Sequence, residues 1–584
     1  MTNFFTRWTG LAAALLSLSG TSGAGGQEGP AKQERERTLE QWQDRRFGMF
    51  VHWGVYAVPA GFHEGKPVRH LGEWIMRHGK ISKEEYAGYA ARLAPDGYDP
   101  GAWVRLAEEA GMKYMVVTAK HHDGFALFDS AASGWDAVDA TPAKKDLLMP
   151  LVEECRKKGM PLGYHYSQAE DWWHPGGGIS GTSWDPGQAG SFDSYLAAVA
   201  VPQIKELLAR YGPVSSFFFD TPVNMNASRA VQIEALLPAT TLSNDRLFPG
   251  STGTFRTYEN QLPQRFIPAG PWELCTSCND TWGYKNNDQH WKGTGELLRT
   301  LVETASRGGN FLLNVGPDAS GNIPQPAAES LRGIGRWLAR NGESIYGTRH
   351  SPYNPIPWNG GCTSRSLPSG ETVLYAHLFE RPGDQLLLPG LANRLISAKL
   401  LPDGADLEFS RQGNSWRIKL PGFDGGKIPT LKITLDGKPV INPPSITPGA
   451  DGKMVLGVHA ALLRGNQLRL ERQPNSPEPN IGYWTDQADT VAWSVDLPAA
   501  AAFASEWTVA CGEDSAGAVV AVMAAGKELG RFEVPSTGGW NVFRKMPGPL
   551  LSLPAGAVEI QLVPLSKPGL GVMNLRALSL LKTR

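Results

Sequence analysis

The chain has 584 residues, with 56 Lys and Arg against 57 Asp and Glu, and it is rich in Trp (19) and Tyr (15). So even a charge leaves no electrostatic footprint for nucleic acid or an anionic surface. Five cysteines in so long a chain exclude a disulfide scaffold, and the length allows several domains.

Residues 1–24 have the layout of an export signal: Arg7, a short apolar run at 11–18, then the small residues Thr21-Ser22-Gly23-Ala24. The expected destination is the periplasm or the exterior. Residues 25–37, rich in Gly, Gln, Glu, Lys and Arg, read as a disordered leader. No later stretch is long and apolar enough for a membrane-spanning helix.

From residue 38 to about 346, strand-like and helix-like segments alternate. Strands are expected at 47–53, 114–119, 162–167, 216–219, 241–244, 272–275 and 311–315. Helices are expected at 86–93, 100–110, 144–158, 195–211, 226–237 and 295–307. Such alternation predicts an α/β fold, an irregular (β/α)8-like TIM barrel, although only seven strands are evident. Beyond 346 the helical periodicity stops. Short alternating runs divided by Gly, Pro and Asp predict an all-β sandwich at 347–473. A Pro/Asn/Ser/Glu linker is expected at 474–480, followed by a second sandwich at 481–584 that resembles carbohydrate-binding sandwiches.

The chemistry gathers where the barrel strands should end. Ser216-Phe217-Phe218-Phe219 runs straight into Asp220 and Pro222, so a carboxylate sits at the C-terminal end of a buried strand. His52 and Trp53 follow the first strand, and Lys120-His121-His122-Asp123 follow the second. Tyr164-His165-Tyr166 closes the third, and Trp272-Glu273 forms a further cluster. Neutral imidazoles, phenols and indoles with two carboxylates suit a polyhydroxylated neutral ligand, because rings stack on C–H faces and imidazole both donates and accepts. A metal site is not expected. His121 and His122, adjacent on a strand, should point to opposite faces, and Cys275-Thr-Ser-Cys278 has no second pair to complete four zinc ligands.

Taken together, Phe47-Gly-Met-Phe-Val-His-Trp-Gly54, Gly72-Glu-Trp74, Ala119-Lys-His-His-Asp-Gly-Phe125, the Asp220 strand, Trp272-Glu-Leu-Cys-Thr-Ser277 with Trp282-Gly-Tyr284, and Asn310-Phe-Leu-Leu-Asn-Val-Gly-Pro317 resemble glycoside hydrolase family 29, the retaining α-L-fucosidases. The resemblance implies an exported exo-glycosidase that needs no cofactor or metal. It would hydrolyse terminal α-L-fucosyl linkages of oligosaccharides or glycoconjugates by double displacement. It makes Asp220 the nucleophile and Glu273 the acid/base, with Glu259 and Glu73 as the competing carboxylates. It makes His52, Glu73, Trp74, His121, His122 and Tyr166 sugar contacts, with His165 the alternative to Tyr166 by register. Arg256 is a further contact. Phe218 stands where many relatives have Trp and should flank the sugar's methyl group; Trp282 is a further substrate contact and, with Trp272, should raise the pKa of Glu273. A fucose-binding protein without catalysis and an α-L-galactosidase are the other readings of the same motifs.

Overall fold

The computed structural model describes residues 29–583 apart from 264–266, 355, 413–414, 423–427, 443–444, 466 and 472–477. The expected export signal, residues 25–28 of the leader and residues 474–477 of the linker lie outside the described residues.

Eight parallel strands form the first unit: β1 (Phe47–Val51), β2 (Met115–Lys120), β3 (Leu162–Tyr166), β4 (Val214–Phe219), β5 (Leu242–Ser243), β6 (Arg256–Glu259), β7 (Trp272–Ser277) and β8 (Asn310–Val315). They pair in the order β5-β4-β3-β2-β1-β8-β7-β6. A single bridge between Asn244 and Phe255 joins the two ends of this curled sheet. β1, β2, β7 and β8 are buried along their whole length, as strands covered on both faces must be. The strand the periodicity missed is β6, Arg-Thr-Tyr-Glu, which has exposed ends and lies beside the seam, so no apolar run marks it.

Helices Pro100–Glu109, Met149–Lys158, Val201–Arg210, Ala227–Glu234 and Thr294–Ser306 lie in the connections, and Gln325–Asn341 follows β8. No helix joins β5 to β6 or β6 to β7 among the described residues, which makes the barrel irregular at its seam. A further helix, α1 (Pro30–Arg45), occupies part of the stretch expected to be disordered. Its Trp42 is buried and stacks on Phe255, with ring centroids 4.5 Å apart, beside Leu242. The helix is therefore tied down by covering the weak seam between β5 and β6. None of the described helices is long and apolar enough to cross a membrane.

Two antiparallel sandwiches follow. The first stacks a five-stranded sheet on a three-stranded one around Leu374, Leu386, Trp416 and Ile433. The second has its core at Trp484, Trp493, Trp507 and Leu578. Its boundary differs from the expected one. Lys453–Gly457 pairs with Asn574–Lys582, Leu462–Arg464 with Thr490–Leu497, and Arg469–Glu471 with Asn480–Gly482. The Pro-rich stretch at 474–480 thus connects two strands of one sheet, and the last domain begins before residue 453. Proline and asparagine mark a turn as readily as a linker.

Removing residues 475–584 should therefore leave three strands without their partners and expose sheet edges. We expect that protein to be poorly soluble, and one ending at residue 445 to be soluble with a cooperative melt. Soluble yield and thermal melts of the two truncations check this.

Candidate active site

The inner face of the barrel mouth holds a cavity of about 200 Å³ lined by Phe50, His52, Leu71, Glu73, Trp74, His121, His165, Phe218, Asp220, Thr221, Arg246, Glu259, Cys275 and Trp282. Asp220 follows the last residue of β4. Its backbone N–H donates to Gln168 Oε1 at 3.1 Å, and Phe219 exchanges two hydrogen bonds of 2.9 Å with the Asn244 side chain. These bonds fix the strand end from both sides. Thr221, next in the chain, has φ 42°, a conformation that β-branched residues rarely adopt, and its N–H donates to Asp220 Oδ1.

Three groups meet the Asp220 carboxylate. Arg246 Nη1 donates to Oδ1 at 2.9 Å, while His165 Nε2 and His122 Nε2 lie 3.4 and 3.5 Å from Oδ2. Burial alone would push this carboxyl up. The hydrogen bonds from His122 and His165 and the charge of Arg246 outweigh it and hold Asp220 well below the usual carboxylate range. The same guanidinium reaches a second carboxylate: Arg246 Nη2 donates to Glu259 Oε2 at 2.8 Å. One planar fork spans the two acids.

The imidazoles divide into two kinds. Asn314 Nδ2 donates to Trp282 O at 2.8 Å and to Ser277 Oγ at 3.0 Å, so its Oδ1 must accept from His52 Nδ1 at 2.7 Å. The His52 Nε2 lone pair is then left for the cavity. Burial drives His52 and His121 well below the ordinary imidazole value and lowers His165 too, so these three are neutral acceptors or donors. His122 differs. Ser167 Oγ donates to Glu170 O at 2.5 Å and therefore accepts from His122 Nδ1 at 2.6 Å. Burial opposes charge on His122, yet the hydrogen bond and charge of Asp220 raise it above its ordinary value. Glu73 Oε2 accepts from Gly283 N at 2.8 Å, and burial pushes this carboxyl up to about 7. Glu73 Oε1, His121 Nδ1 and His165 Nδ1 are buried without a protein hydrogen-bond partner. An unmade hydrogen bond costs free energy, so these atoms are built for a polar ligand.

Aromatic rings complete the walls. Phe218 packs on Phe50 at 5.0 Å and on His165 at 5.8 Å. Trp282 covers His52 at 5.2 Å, and Trp74 meets His122 edge-on at 5.1 Å.

Of the expected site residues, the mouth gathers Asp220, His52, Glu73, Trp74, His121, His122, Phe218 and Trp282. Three others lie elsewhere. Tyr166 points outward, where its hydroxyl donates to Gln203 Oε1 at 2.7 Å; the strand's alternation turns His165 inward instead. Arg256 is exposed at the start of β6, and the arginine of the site is Arg246. Glu273 is the second residue of β7, paired in register with Asn310 at the start of β8. That puts it below the cavity floor, two residues or about 7 Å along the strand from Cys275, which lines the cavity and pairs in register with Glu259. There it accepts from Tyr114 Oη at 2.6 Å, sealed from the cavity, and burial pushes it up to about 8. Besides Asp220 and Glu73, the mouth holds Glu259, the last residue of β6. Arg246, Gln168 and Asn314 escaped the sequence reading as site residues. The first two sit in loops without a pattern, and Asn314 is hidden in an apolar run.

His121 and His122 come after the last residue of β2 rather than within a strand, so alternation does not separate them; their rings lie 4.2 Å apart. One ligand nitrogen each of His52, His121 and His165 lies within 4.8 Å of the others. The rings of His121 and His165 are nearly parallel (8°) with centroids 4.9 Å apart, so their in-plane lone pairs do not converge on one ion.

Comparison with known proteins points the same way. The α-L-fucosidase family model matches residues 19–343, more than half of the chain. The chain is 30% identical to tissue α-L-fucosidase of Rattus norvegicus over 431 residues, which is 68% of this chain and 90% of the rat protein. The crystal structure of an α-L-fucosidase from Vibrio sp. strain EJY3 superposes with a TM-score of 0.71 at 26% identity, covering 93% of this chain and 98% of that one. A family 29 α-L-fucosidase from Bacteroides thetaiotaomicron, trapped as a covalent intermediate with 2-fluoro-fucosyl fluoride, superposes with a TM-score of 0.61 at 26% identity. That match covers 71% of this chain and 98% of the other.

The raised carboxyl of Glu273 yields a test of its burial. A carboxyl held at about 8 when folded but at about 4.3 when unfolded binds its proton more tightly in the native state. Its stabilising contribution is complete below about pH 4.3 and is lost as pH rises toward 8. Glu273→Gln removes that titration. The stability of Glu273→Gln minus that of wild type should rise from pH 5 to pH 8, by on the order of a few kcal/mol at most. Urea melts of both proteins at the two pH values measure it, and a difference that does not change with pH would contradict the assignment.

Proposed function

The chain belongs to the α-L-fucosidase family of glycoside hydrolases, and from that premise we propose that it removes terminal α-L-fucosyl residues with retention, Asp220 acting as nucleophile and Glu259 as acid/base. The observation that carries the assignment is position: the Arg246 guanidinium reaches both carboxylates and so sets Glu259 beside Asp220 at the barrel mouth. Retaining glycosidases need one ionised carboxylate and one proton-bearing carboxyl roughly 5–5.5 Å apart.

In the first step an oxygen of the Asp220 carboxylate attacks the anomeric carbon while Glu259 protonates the departing glycosidic oxygen. The C–O bond to the leaving group breaks as the bond to Asp220 forms. In the second step Glu259, now a carboxylate, takes a proton from water, whose oxygen displaces Asp220. Glu73 Oε1, His52 Nε2 and the free nitrogens of His121 and His165 supply the contacts for the ring hydroxyls. Phe50, Phe218 and Trp282 form an apolar wall suited to the methyl at C5, which favours fucose over a sugar bearing CH₂OH there. The substrates on this reading are fucosylated oligosaccharides or glycoconjugates. The apolar run at 11–18 behind Arg7 supports export to the periplasm or the exterior.

Glu259→Ala should slow release of fucose from an oligosaccharide by about 10²–10⁴-fold, and release of nitrophenol from an aryl fucoside far less, because nitrophenolate departs without a proton. Glu273→Gln should show no such dependence on leaving group. The reverse pattern would exchange their roles. Asp220→Ala should be nearly inactive, with azide restoring a slow rate and giving β-fucosyl azide; wild-type turnover by that variant would sink the nucleophile assignment.

A further inference from the structure

The last sandwich carries a second concave site. A cavity of about 270 Å³ lies among Glu471, Tyr483, Trp484, Thr485, Trp540, Leu570, Gly571 and Asn574, close to the ~300 Å³ at which small-molecule sites begin. Two of its apolar residues are exposed, Tyr483 at 46% and Leu570 at 72%. Trp484 is buried, with its Nε1 bonded to Asp489 O at 2.9 Å, and its carbonyl accepts from Val572 N at 2.8 Å. The neighbouring Tyr483 has φ 53°, a left-handed conformation tyrosine rarely takes. Gly571 lies against the half-buried Trp540 ring, where a Cβ would come within 2.9 Å of Cη2. Polar groups stand at the base: Asn574, whose Nδ2 donates to Trp540 O at 2.6 Å, and Glu471, whose Oε1 accepts from Asn480 Nδ2 at 2.8 Å.

We infer that this pocket binds a neutral pyranose of the glycan chain that carries the substrate. Aromatic and leucine surfaces meet a sugar's C–H face while an amide and a carboxylate meet its hydroxyls, and the carboxylate discriminates against sulfated or acidic sugars. A concave pocket of one ring's size fits a sugar better than a protein surface, which needs a far larger contact. The choice of a sugar as ligand rests on the fucosidase reading. The site holds the polymer and does no chemistry.

The test is migration of the full-length protein through native gels containing defucosylated xyloglucan or defucosylated mucin, so that the barrel site has no terminal fucose to engage. Wild type should be slowed in at least one of them and not in a sulfated fucan. Tyr483→Asn and Leu570→Asp should weaken retention about tenfold, the scale of one lost aromatic or apolar contact. Both should cleave an aryl fucoside at the wild-type rate. Asparagine tolerates the left-handed backbone, so Tyr483→Asn should keep or raise the melting temperature, whereas a residue needed only for packing would lower it. Wild type unslowed in both neutral gels, or variants slowed as much as wild type, overturns the inference. Slowed migration without aryl-fucoside turnover would instead count against the fucosidase reading alone.

Discussion

A single charge organises the barrel mouth. Asp220 sits where burial should neutralise it, and Arg246, His122 and His165 keep it ionised. Each of these needs its own support. Gln168 takes the Asp220 N–H on its Oε1, and its Nε2 donates to the carbonyls of Arg246 and Leu247, so Asp220 and the arginine are held by one side chain. Ser167, beside it in the chain, orients His122. Lys120, fully buried, holds the same loop through Ser167 O and Asp171 at 2.7 and 2.8 Å. Removing one partner of such a buried pair leaves an uncompensated charge, so this network tolerates little change.

The opposite wall is arranged for neutrality. The loop 277–283 orients His52 through Asn314 and Trp282, and Glu73 through the Gly283 N–H. His52, His121 and His165 stay uncharged because they are dry, and Glu73 is pushed toward its protonated form for the same reason. A charged carboxylate facing a neutral, hydrogen-bonding wall is what the proposed reaction requires: attack on one side, hydroxyl recognition on the other.

Much of this was legible in the sequence. Phe217-Phe218-Phe219-Asp220 announces a buried strand ending in a carboxylate, and the strand ends at His52 and at His121-His122 are similarly plain. What escaped is whatever depends on a weak or interrupted signal. β6 is short, polar and next to the seam, so neither it nor the placing of Glu259 at its end could be read from periodicity. Glu273 looked apt beside Trp272, but only register shows that it begins its strand rather than ends it. A one-residue change of parity decided between Tyr166 and His165. Long-range pairing likewise moved the last domain's start, since the partners Lys453–Gly457 and Asn574–Lys582 lie over a hundred residues apart.

The account stands or falls on which carboxylate bonds to the sugar. Incubating the intact protein with 2-fluoro-fucosyl fluoride, digesting it and mapping the modified peptide by mass spectrometry reads this directly. The account predicts one fucosyl adduct per chain, on Asp220, absent from Asp220→Asn. An adduct on Glu259, Glu73 or any other residue, with Asp220 unmodified, would contradict it.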